Sequence, residues 1–83
     1  MKYKSHILHK VAAYYIAGKD LGVNIRGKNI QVDCFNNLLE VSRKLNIALN
    51  KENANLSEVT NFINKKKKLT KEFQDLTGIK WHL

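Results

Sequence analysis

Four consecutive lysines, Lys65 to Lys68, stand inside an apolar stripe, and this conflict limits how the C-terminal part of the chain can fold. Val59, Phe62, Ile63, Leu69, Phe73 and Leu76 recur at helical spacing. In one unbroken helix over residues 56–77, a turn of about 100° per residue puts Lys66 near the middle of that stripe. Lys65 and Lys67 fall at its two edges and Lys68 lies opposite. A fully buried Lys66 without a partner is costly. Two arrangements relieve it. Lys66 keeps its ammonium wet over an apolar stem, or the helix breaks near residues 64–69. In the second, Asn64 ends one piece, Thr70 caps the next and Gly78 closes it. The break is the arrangement we favour from the sequence. In both, most of these ammoniums reach solvent.

The rest of the chain reads as follows. Residues 5–17 place Ile7, Leu8, Val11, Ala12, Tyr14 and Tyr15 at helical spacing, with Ser5 as N-cap, Gly18 as stop, and His6, His9 and Lys10 on the other side. Residues 35–50 carry Phe35, Leu38, Val41, Leu45 and Ala48 at intervals of three and four, the clearest helix in the chain, with Asp33 as its cap. Between them, Val23 and Ile25, then Ile30, Val32 and Cys34, alternate with polar residues around "RGKN". That pattern predicts a β-hairpin over residues 22–34, with Gly27 at a positive φ. Residues 51–55 connect to the last helix, where Asn55 or Ser57 is the cap and Glu58 suits the helix dipole. The tail "GIKWHL" returns Ile79 and Trp81 to the core. The expected fold is a mainly helical α+β domain over residues 1–83: helix, β-hairpin, helix, helix. An all-α fold and a ribbon-helix-helix-like dimer are the alternatives.

A chain of 83 residues is one domain with a thin core. Its single cysteine, Cys34, builds neither a disulfide framework nor a cysteine zinc cluster, and fits a reducing, cytoplasmic setting. A thin core and the ribbon-like strand favour a homodimer. No stretch is long enough to span a membrane. The basic start "MKYKSHILHK" is interrupted by His9 and Lys10 and lacks a cleavage signature, so it is read as part of the fold rather than a leader. An acid-free start of this kind also mimics a transit peptide.

The net charge is +8. Residues 1–19 contribute +4, residues 20–55 only +1, and residues 56–83 +3. Such an excess attracts polyanions. Lys65, Lys66, Lys67, Lys68 and Lys71 are the leading phosphate contacts, joined by Lys2, Lys4 and Lys10 from the other end and by Arg26 and Lys28 at the hairpin tip. These contacts position a protein without reading sequence. Base reading would fall to Asn29 and Gln31, which point outward together if Ile30, Val32 and Cys34 face inward. The strand "KNIQVDC", a helix, a polar connection and a second capped helix resemble the ribbon-helix-helix repressors. That likeness covers about residues 28–64 and implies that two chains pair their strands and insert them into the major groove. Asp33, awkward near phosphate, Gly27 and the long first helix depart from it. A strand within an internal hairpin is the plainer reading. "LTKEFQDLTGI" is similar to the start of a helix-turn-helix unit, but too few residues follow for a recognition helix, so Phe73, Leu76 and Ile79 are read as core.

Other chemistries find less support. His6 and His9 lie three apart, but no further ligand is clear without Cys34 or His82 coming near, so no metal is assigned. His82 with Lys80, and His6 with Lys10, are the candidate acid–base pairs for a small nuclease, and no nucleophile elbow, phosphate loop, paired carboxylates or metal motif accompanies them. The aromatic residues do not cluster with lysines as a single-strand stacking platform requires. Membrane attachment through the first helix lacks a strong apolar wedge. The expectation is a non-catalytic, cofactor-free regulatory protein that binds nucleic acid, DNA rather than RNA. The alternative is a small inhibitor of the phage or mobile-element type, docking its basic face on an acidic protein. In that reading Trp81 or Tyr15 supplies an exposed apolar patch.

Overall fold

A computed structural model describes residues 4–19, 21–22 and 25–83. The described residues form three helices: α1 (Ser5–Ile16), α2 (Asn29–Leu49) and α3 (Leu56–Thr77). No strand occurs among the described residues. Val23, of the expected first strand, lies outside them.

The hairpin is therefore corrected. Residues 29–34 form the first turns of α2, and Gly27 does not take a positive φ. Alternation over Ile30, Val32 and Cys34 is too short to separate a strand from a helix. Read at helical spacing, Gln31, Cys34, Phe35 and Leu38 extend the downstream stripe backwards, and all four are buried. As a helix this segment buries that stripe against its neighbours, whereas an isolated hairpin is marginal. Asp33, expected as a cap, lies inside the helix and is exposed.

The helix ends follow local chemistry. Asn55 caps α3, its side chain accepting from the N–H groups of Ser57 and Glu58 at 2.9 and 3.2 Å. Gly78 ends α3 at φ 72°, a conformation glycine adopts without a Cβ penalty. Ser5 is the first residue of α1 rather than its cap, and Lys4 precedes it with no side-chain cap bond. Two side chains of α2 close the ends of its neighbours. Gln31 Nε2 donates to the Leu76 carbonyl at 2.8 Å, and Asn46 Nδ2 to the Ile16 carbonyl at 3.3 Å. Both carbonyls lie in last turns, where the helix itself offers no partner.

These contacts also set direction. Gln31 meets Leu76 and Cys34 meets Leu69, so α2 and α3 run antiparallel. Helices α1 and α3 have no Cα atoms within 8 Å of each other. The tail fills the space between them. Trp81 is 8% exposed, with ring centroids 5.9 Å from Phe35, 5.5 Å from Phe73 and 5.0 Å from His9. His82 N–H donates to His9 Nε2 at 2.9 Å, which leaves the ring proton on Nδ1, donating to the Ser5 carbonyl at 2.7 Å. The molecule is thus two layers: α2 with α3, and α1 with the tail. Phe35, Phe73, Leu8 and Leu38 are fully buried between them, each contributing about 1.5–3 kcal/mol.

Candidate nucleic-acid interface

Helix α3 is continuous through the lysine run, which overturns the expected break at residues 64–69. No residue there interrupts a helix, since the stretch holds neither proline nor glycine. Lys66 is accommodated in the other way. It is half-buried beside a groove walled by Ala13, Ile16, Leu45 and Leu49, while Lys65, Lys67 and Lys68 are exposed. Burial pushes the Lys66 ammonium below its ordinary pKa, because a charge in apolar surroundings loses hydration.

The unbroken helix decides where each lysine points. Lys67 and Lys71 are about 40° apart around the axis, and Lys68 and Lys71 about 60°. Together they form an outward ridge on the side away from the core residues Phe62 and Phe73. Lys65 and Lys68 also border a groove of about 390 Å³ between α2 and α3, beside Phe62, Leu69, Glu40 and Glu72. None of Lys65, Lys67, Lys68 and Lys71 has an ion-pair partner among the described residues. Lys44 on α2 is paired with Glu40 at 2.9 Å.

The remaining expected contacts are scattered. Lys10 is exposed on α1, Lys4 just before it, and Arg26 and Lys28 on the segment before α2. There is no hairpin tip for Arg26 and Lys28 to occupy. Lys2 lies outside the described residues. Asn29 is exposed at the start of α2, but Gln31 is buried and committed to the Leu76 carbonyl. The outward-facing pair of base readers, and with it the ribbon-helix-helix arrangement, is therefore absent: the segment that would have paired into a ribbon is helical.

Trp81 is buried and Tyr15 is half-buried with the Arg43 guanidinium 4.9 Å over its ring, so neither supplies the expected exposed patch. The histidine cluster brings His9 and His82 together at 5.1 Å, but both His9 ring nitrogens are taken by hydrogen bonds. Cys34 is in the core, with its thiol toward the Leu69 carbonyl at 3.7 Å. Its pKa is raised by burial and, secondarily, by the Glu72 carboxylate. No group of three or more ligating side chains able to hold a metal occurs among the described residues, and no helix is long and apolar enough to cross a membrane. Reading the sequence missed that Glu40 and Glu72 border the same groove as Lys65 and Lys68. The clue was present in the three- and four-residue spacing of Lys65, Lys68 and Glu72.

No protein family, curated protein or solved structure matches this chain.

Proposed function

We propose that the protein binds nucleic acid without catalysis, using the exposed lysines of α3 on phosphates. The observation that carries this is the set Lys65, Lys67, Lys68 and Lys71, spread over the outward half of one continuous helix, exposed and without ion-pair partners among the described residues. Unpaired ammoniums release phosphate counterions on binding, and a preformed helix needs no ordering to present them. With Gln31 committed to the fold, binding follows backbone charge rather than base sequence. Duplex DNA is the leading partner, because the outward ridge of Lys67, Lys68 and Lys71 on one helix can follow a line of phosphates.

Fluorescence anisotropy with labelled duplex DNA, single-stranded DNA and RNA over a salt series tests this. Each lysine on a duplex phosphate adds about −0.9 to the log–log slope, so two contacts give about −1.8 and four about −3.6. Lys67→Gln with Lys71→Gln should make the slope shallower by about 1.8, two contacts at about 0.9 each. The absence of binding at low salt would defeat the proposal. It would also turn attention to an acidic protein as the partner of the same lysines.

A further inference from the structure

Among the described residues, α1 and the tail cover one side of the α2–α3 layer, while the grooves on its other side are lined by α2 and α3 alone. That other side is not a plain solvent face. Ile30 is 61% exposed there, Phe62, Leu69 and Leu76 are only half-buried, and two grooves meet at Asn37 and Glu72. Along it, α3 presents Lys65, Lys68, Glu72 and Asp75, all exposed. Their spacing of three, four and three keeps them on one stripe of the helix. The order of charges is basic, basic, acidic, acidic. It is symmetric about residue 70: Lys65 and Asp75 are equidistant from that level, and so are Lys68 and Glu72.

A stripe of this kind complements itself when reversed. We propose that this face binds a second copy of the chain, with α3 antiparallel to its counterpart and the two-fold axis crossing the helices at the level of residue 70. Lys65 then faces Asp75 of the other copy and Lys68 faces Glu72, and each pair occurs twice by symmetry. The half-buried Phe62, Leu69 and Leu76 and the exposed Ile30 supply the apolar part. The area is sufficient. The 22 residues of α3 extend about 33 Å, and two helices side by side cover a width of about 20 Å. That gives roughly 650 Å² per copy, near the lower end of stable interfaces. A parallel arrangement would set Lys65 and Lys68 against their own like charges and is disfavoured. The dimer does not depend on nucleic-acid binding; it takes Lys65 and Lys68 out of the phosphate-contacting set and leaves Lys67 and Lys71 outward on both copies.

Sedimentation equilibrium of the full chain tests the interface, with far-UV circular dichroism confirming retained helix in every variant. The wild type should dimerise at about 100 µM, the range of a weak interface of small area. K65E/K68E and E72K/D75K should each raise the dissociation constant at least about tenfold. The fourfold exchange, which restores the net charge, should recover dimerisation, and so should mixing the two double variants with each other. K67E/K71E changes the net charge by the same amount as K65E/K68E but lies off the stripe, and it should dimerise like the wild type. A monomeric wild type at this concentration would overturn the proposal. Equal behaviour of K67E/K71E and K65E/K68E, or no recovery in both the fourfold exchange and the mixture, would do the same. Loss of nucleic-acid binding in K67E/K71E with the dimer intact would separate the two surfaces.

Discussion

Replacing Trp81 with alanine tests whether the tail is part of the core. Trp81 is 8% exposed and stands within 6 Å, centroid to centroid, of Phe35, Phe73 and His9. A buried aromatic side chain removes about 150–250 Å² from water. At about 25 cal/mol per Å² that is about 4–6 kcal/mol, an upper bound because unfolded chains already bury some surface. Substitutions of this kind cost about 3–5 kcal/mol. A domain of 83 residues has only about 4–12 kcal/mol in total, so Trp81→Ala should remove a quarter or more of the stability. Trp81→Phe behaves differently. The Trp81 Nε1 is buried without a hydrogen-bond partner, a burden of about 1–3 kcal/mol. Phenylalanine gives up part of the ring area but also discards that N–H, so the net change should stay within about 1 kcal/mol. Urea unfolding followed by far-UV circular dichroism measures both, since the single tryptophan's fluorescence is lost in each variant. Trp81→Ala within about 1 kcal/mol of wild type would refute the reasoning, and so would Trp81→Phe as damaging as Trp81→Ala.

Two further expectations concern buried polar groups. Lys66→Met should raise the neutral-pH stability slightly, by less than about 1 kcal/mol, because the ammonium is only half-buried. Its folded pKa lies below the unfolded value of 10.5, so the unfolded chain binds more protons in the alkaline window between the two. Wild-type stability should therefore gain a small increment as pH rises through that window, and Lys66→Met should lack it; identical pH profiles in denaturant titrations would count against the placement of Lys66. Gln31→Ala removes the donor to the Leu76 carbonyl and should cost about 1–3 kcal/mol. Hydrogen exchange should show the loss concentrated in the last turn of α3, and an unchanged last turn would deny Gln31 its closing role.

Much of the helical core was legible as periodicity. Phe35, Leu38, Val41, Leu45 and Ala48 recur at the spacing of one helix face, and all are buried. Asn55, Glu58 and Gly78 mark the ends of α3 through their own local chemistry. The segment from Ile30 to Cys34 was not legible, because three alternating residues satisfy both periods. Its helix is selected by Gln31 and Cys34 meeting α3, contacts with residues 45 and 35 positions away. The lysine surface was visible as charge, but its direction depended on whether α3 continued through it.

What the sequence alone determines is therefore local and additive: the apolar stripes, the Asn55 cap, the Gly78 stop and the charge of +8. Tertiary structure decided the rest. It made residues 29–34 helical, kept α3 unbroken with Lys66 at the edge of a groove, and turned Gln31 from a candidate base reader into the closure of another helix. Each outcome depends on what lies across the core from a side chain. Local propensity differs between the alternatives by only tenths of a kcal/mol per residue, whereas burying a side chain against a distant partner is worth about 1.5–3 kcal/mol.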